Sequence, residues 1–75
     1  MFDSIVTDPK MLGGKPFIKG TRISVEFILE LVASGASVSE IVKNYPFLKE
    51  EAVRDAILFA ASSVKNDLYL SAGAA

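Results

Sequence analysis

Lys15, Lys19 and Arg22 are the side chains of this sequence best suited to chemistry, and that chemistry is the capture of an anion. They stand four and three residues apart, between Gly13-Gly14 and Ile23-Ser24. Arginine offers a planar fork that meets phosphate or carboxylate with two parallel hydrogen bonds, while lysine adds a point charge. Thr21 supplies a hydroxyl beside Arg22. Gly13, Gly14, Pro16 and Gly20 shape the backbone that carries these groups. Glycine opens angles closed to other residues, and proline fixes one angle and removes a donor. Gly13-Gly14 thus reads as a tight turn, Pro16-Phe17-Ile18 as a short extended piece and Gly20 as a second turn. Cations displayed this way suit a polyanion or an acidic protein surface. A plainer account also stands, in which the glycines only turn the chain and the cations only solvate it. For Arg22 it is an ion pair to Glu26, four residues on, worth ~0.3–0.5 kcal/mol when exposed.

Other chemistry is poorly supplied. The chain has no His and no Cys, which removes the commonest metal ligand, the commonest general base and any disulfide. Glu50, Glu51 and Asp55 form an acidic cluster whose simplest meaning is helix-end charge and solvation. Gly14-Lys15 is followed by Pro16, which breaks the phosphate-cradling loop pattern. The expectation is a protein with no catalytic residues, no metal, no cofactor and no small-molecule substrate. No apolar run reaches the ~20 residues that span a bilayer. The start MFDSIVTDPK lacks the basic and apolar parts of a signal peptide. A soluble, cytoplasmic protein is expected, away from membranes.

The elements that must position the cations fit one domain over residues 1–75. A chain of this size buries only ~60% of its unfolded surface. Hydrophobic residues are 51% of the sequence, high for so little interior, which points to self-association as a homodimer. Net charge is −1, yet the N-terminal third is basic and the remainder acidic.

Short strands are expected within residues 1–24. Ser4-Ile5-Val6-Thr7 reads as one, stopped by Asp8-Pro9, and Phe17-Ile18 can pair with Ile5-Val6. A helical bundle follows over 25–66. Ser24 is a good N-cap for a first helix, whose apolar stripe is Val25, Ile28, Leu29 and Val32. Phe27 and Leu31 fall outside that stripe, a surplus that suits a dimer contact. Gly35 is placed to end the helix. Ser37-Val38-Ser39-Glu40 is a capping box for a short helix to Asn44, stopped by Tyr45-Pro46. Lys49-Glu50-Glu51 opens a third helix, buried through Val53, Ala56, Ile57, Ala60 and Val64 and ending near Val64. A frayed tail is expected over 67–75.

The fold class expected is mainly α: a trihelical, helix-turn-helix-like bundle with two short N-terminal β-strands. In that grammar the third helix would read DNA, but Glu50 and Glu51 at its start would meet phosphate unfavourably.

Asp8-Pro9 and the run from Gly13 through Pro16, Ile18, Gly20, Thr21 and Arg22 to Val25 resemble the signature of the family catalogued as domain of unknown function 433. Gly35, Glu40-Ile41, Tyr45-Pro46, Leu48 and Val53 fit its second half. The resemblance covers roughly residues 3–62. It implies a small dimeric fold acting as a VapB-like antitoxin, paired with a PIN-like nuclease toxin and also binding its own promoter DNA. The alternative is a protein-only interaction module. Lys15, Lys19, Thr21 and Arg22 are the expected contacts to DNA or partner, and Gly13, Gly14, Pro16 and Gly20 the loop-shaping residues.

Overall fold

Ile5 faces Ile18 and Val6 faces Phe17, so β1 (Ile5–Val6) and β2 (Phe17–Ile18) form the expected antiparallel pair. A computed structural model describes the backbone of residues 2–74 and the side chains of residues 2–64. Between the strands, Asp8 turns the chain. Its Oδ1 accepts from the Lys10 N–H at 2.9 Å, and its carbonyl accepts from the Met11 N–H at 2.9 Å. A 3-10 turn follows over Leu12–Gly14. Leu12 adopts φ 53°, so the turn begins one residue before the two glycines expected to make it. A left-handed leucine costs roughly 1–2 kcal/mol.

Three helices complete the chain. Helix α1 (Val25–Ala33) starts where the Ser24 hydroxyl accepts from the Phe27 N–H at 2.9 Å. It ends in paired bonds: the Ala36 N–H donates to the Leu31 carbonyl at 3.0 Å and the Gly35 N–H to the Val32 carbonyl at 2.9 Å. This is the Schellman arrangement, which needs a left-handed residue, and Gly35 supplies it at φ 102°. A Cβ on Gly35 would meet nothing within 4 Å, so Gly35→Ala carries a purely conformational penalty. A stability loss of roughly 1–2 kcal/mol is expected, read as a lower urea midpoint at constant slope.

Helix α2 (Val38–Asn44) is held by the full capping box. The Ser37 hydroxyl accepts from the Glu40 N–H at 3.1 Å, and Glu40 Oε1 accepts from the Ser37 N–H at 2.9 Å. That backbone donor, followed by the Ser37 side chain, pulls the Glu40 carboxyl below its usual range. A depressed carboxyl stabilises fully above its ordinary value and loses that contribution as pH falls through the lowered one.

Helix α3 (Glu50–Ala74) corrects the sequence reading, which ended it near Val64 and left 67–75 frayed. The backbone is helical through Ala74. Nothing between Val64 and Leu70 is a breaker, and alanine favours continuation once a helix is nucleated. Ala75 and the side chains of Leu68, Tyr69 and Leu70 lie outside the described residues.

Each helix gives the core one large, fully buried side chain, Ile28, Ile41 and Val53. Ile18 adds the sheet to the same cluster, with Val25, Leu48, Ala52 and Ala56 around them. Among the described residues no polar or charged side chain is buried. The expected stripe of α1 is rotated. Val25 and Ile28 are buried, but Leu29 and Val32 remain 38% and 37% exposed. Leu31, expected as surplus, packs against the core. Phe27 meets Tyr45 edge-on at 5.8 Å. An apolar helix offers more than one candidate face, and Tyr45, at the C-cap of α2, meets Phe27 on the side that the spacing rule left out. Among the described residues no helix is long and apolar enough to cross a membrane.

Candidate partner-binding hairpin

The backbone from Pro16 to Val25 closes on itself. The Val25 N–H donates to the Pro16 carbonyl at 3.0 Å and the Ile18 N–H to the Ile23 carbonyl at 2.9 Å, and Phe17 bridges Ser24. At the tip, the Thr21 N–H donates to the Ile18 carbonyl at 3.0 Å. Gly20 sits at φ 80° in the third position of that turn, the angle that a type II turn reserves for glycine. The Lys19 N–H donates to the Ser4 carbonyl at 2.8 Å, which ties the tip to the segment before β1. Val25 and Ile18 are core residues, so α1 and the sheet hold the hairpin from below.

Thr21 serves the loop. Its hydroxyl donates to the Ile18 carbonyl at 2.8 Å and accepts from the Ile23 N–H at 3.0 Å. Expected as a partner contact, Thr21 is by its geometry a brace. Thr21→Val keeps the shape and removes both bonds. A stability loss of about 1–3 kcal/mol is expected, since the Ile23 N–H loses its acceptor while the Ile18 carbonyl keeps only the Thr21 N–H; chemical unfolding measures it.

Lys15 is drawn elsewhere. Its Nζ donates to Glu26 Oε1 at 2.7 Å, across eleven residues of sequence. The Glu26 hydrogen bond, then its charge, raises the Lys15 ammonium above its ordinary value. A raised lysine stabilises fully below its ordinary value and loses that contribution as pH climbs through the raised one. The side chains are 60% and 58% exposed, so water screens the pair. The plainer account of the cations paired Glu26 with Arg22; Glu26 pairs with Lys15 instead.

Lys19 and Arg22 are therefore the free cations of the hairpin. Both side chains are exposed, and neither side chain makes a hydrogen bond or ion pair among the described residues. They flank an open groove of about 640 Å³ whose apolar lining includes Val6, Met11 and Phe17. Asp8 also lines it, with one carboxylate oxygen engaged by the Lys10 N–H. The groove can hold an extended acidic segment, its apolar part against Phe17 and its carboxylates between the two cations. Of the four predicted contacts, the tip brings together Lys19, Thr21 and Arg22, while Lys15, just after the 3-10 turn, is paired to Glu26 of α1. At the start of α3, Glu50 pairs with Arg54 at 3.0 Å, and Glu51 is exposed.

A second concavity was not foreseen. Leu29, Phe59, Ala60 and Val64 line about 340 Å³ between α1 and α3, with Lys15 and Glu26 at its rim. Its sequence signal was the apolar pair Leu29 and Val32, which spacing had assigned to the core.

The family model described as protein of unknown function, DUF433, matches residues 5–60. The chain belongs to the DUF433 family. A crystal structure of a DUF433 member from Anabaena variabilis is similar, with a TM-score of 0.77 and 28% identity, over 84% of this chain and 62% of that one. The uncharacterized protein y4eO of Sinorhizobium fredii is 34% identical over 59 residues, which are 79% of this chain and 27% of that protein. The chain thus spans about a quarter of the length of that curated relative. The DUF433 match includes the whole hairpin, from Pro16 to Val25, and all of α1 and α2.

Proposed function

We propose that this DUF433 chain is a non-catalytic, cytoplasmic antitoxin whose hairpin tip docks into the acidic site of a PIN-like nuclease toxin. The observation that carries the reading is Lys19 and Arg22: exposed, with no side-chain partner among the described residues, and mounted on a hairpin whose backbone is locked by its own hydrogen bonds. A nuclease site built from clustered carboxylates offers the charge that the two cations lack. Arg22 meets a carboxylate through two parallel bonds, and Lys19 adds attraction without demanding geometry. A fixed tip loses little conformational freedom on binding.

Binding to its own promoter is the second reading, favoured by the helix-turn-helix-like order of α1, α2 and α3. The same two cations can neutralise phosphate. The carboxylates of Glu50 and Glu51 at the start of α3 oppose groove reading by that helix, so the protein partner stands first. A protein-only module without promoter binding follows if DNA is not held.

The test is inhibition. The purified chain, mixed with a PIN-like nuclease sought in the adjacent reading frames, should abolish RNA cleavage at equimolar ratio. Cleavage that continues with the chain in excess would overturn the antitoxin reading. Promoter binding is read separately, as an affinity that falls steeply with rising salt.

A further inference from the structure

We infer that the cleft between the hairpin tip and the α2–α3 turn holds an unpaired nucleotide of a single-stranded nucleic acid, its base on the Phe47 ring and its phosphates at Lys19 and Lys49. The cleft measures about 280 Å³, and these three residues line it together with Ala52 and Asp3.

A lone exposed phenylalanine needs no explanation. Phe47 is not alone. It is 63% exposed, the most of any large apolar side chain among the described residues. It shares the cleft with two exposed lysines whose side chains make no hydrogen bond or ion pair among the described residues. The backbone under the ring is anchored. Leu48, next in sequence, belongs to the buried core, and its N–H donates to the Tyr45 carbonyl at 2.9 Å. Tyr45 meets the Phe47 ring at 88°, with centroids 6.3 Å apart. A perpendicular contact occupies at most one face of Phe47, which leaves a face open for stacking.

Charge and donor type select a nucleotide over an acidic protein. The two lysines outweigh Asp3 in the lining. Glu50 and Glu51, which oppose groove reading by α3, do not line the cleft, and Glu50 is drawn to Arg54 at 3.0 Å. Lysine meets phosphate as a point charge, whereas the fork that grips a carboxylate with two bonds belongs to arginine. Arg22 lines the tip groove and not this cleft. An open aromatic face beside cations matches what a single strand displays, a flat base flanked by phosphates. In a duplex the base faces are stacked inside, so this ligand differs from promoter DNA. The inference stands apart from the antitoxin reading, because Phe47 and Lys49 lie outside the tip groove.

Fluorescence anisotropy on the full chain tests it, with labelled oligouridylate and oligodeoxythymidylate of about twelve nucleotides. Single strands should bind more tightly than a duplex of the same length, with a log–log salt slope of about −1.4 or steeper. Phe47→Ala should weaken binding ~5- to ~150-fold, and Phe47→Leu nearly as much, while Phe47→Trp should retain it, since stacking needs a flat ring. Lys49→Ala should weaken it and flatten the slope by about 0.7. Helical content by circular dichroism and nuclease inhibition should be unchanged in all four variants. Either oligonucleotide, bound in this way, sustains the inference, and the tighter one identifies the strand as RNA or DNA. No binding at millimolar chain would overturn it. So would a duplex held as tightly as a single strand, or Phe47→Ala indistinguishable from wild type. If Phe47→Ala and Lys49→Ala weaken nuclease inhibition and leave oligonucleotide binding unchanged, the cleft belongs to an acidic protein and the inference falls.

Discussion

Arg22→Ala should weaken the hold on an acidic nuclease partner by ~30-fold or more while leaving the fold intact, an effect of the size seen for anchoring arginines. The fold is spared because the Arg22 side chain is exposed and bonded to nothing among the described residues. Binding suffers because the lost group is the one able to grip a carboxylate with two bonds. Arg22→Lys keeps the charge but not the fork, so it should recover only part of the loss. Lys19→Ala should cost less, because an exposed point charge acts mainly on the association rate. Isothermal titration of each variant against the nuclease measures these differences. A change under ~3-fold for Arg22→Ala, with unfolding midpoint unaltered, would remove the tip from the interface.

Ile28→Ala should lower stability by about 2–5 kcal/mol, the range for a buried aliphatic cut to alanine. Ile28 has no exposed surface and lies where α1 meets the core cluster. Proteins hold roughly 0.05–0.15 kcal/mol per residue, so a 75-residue chain has about 4–11 kcal/mol in all. One substitution at Ile28 therefore removes a large share. The hairpin shares this cluster through Ile18 and Val25, so its tip should lose order as the core fails. Urea unfolding followed by circular dichroism measures the loss. A fall below ~1 kcal/mol would mean that the site collapses around the smaller side chain without leaving a cavity.

Local chemistry explains which parts of the fold were legible in the sequence. The Ser24 cap, the Ser37–Glu40 box and the left-handed Gly35 each depend on residues within a few positions, and all three form as read. The Ile5-Val6 and Phe17-Ile18 pairing follows from two short β-branched or aromatic pieces separated by turn residues. Features that require distant residues were hidden. Glu26 is four residues from Arg22 and eleven from Lys15, yet the hairpin delivers Lys15 to it. Helix-surface spacing could not supply that partner. Phe27 and Leu31 are as apolar as Leu29 and Val32, so periodicity could not decide which pair meets Tyr45 and the core. Thr21 looked like a ligand contact because hydroxyls serve both purposes; only the closed hairpin shows its oxygen spent on Ile18 and Ile23. Leu12 gave no signal at all, since leucine is an uncommon choice for a left-handed turn.

Thr21, Lys19 and Arg22 thus divide the labour of the tip: one residue fixes the loop, and two face outward with charge unspent. Lys15, chemically their equal, is committed to Glu26.

Backbone amide shifts of the isotope-labelled chain, titrated with the catalytically silenced nuclease, test this division most directly. The expected result is perturbation centred on Lys19 to Arg22 and along the groove by Val6 and Phe17, with α3 beyond Lys49 little changed. Perturbation centred instead on the start of α3, from Lys49 to Arg54, with the hairpin tip silent, would contradict it.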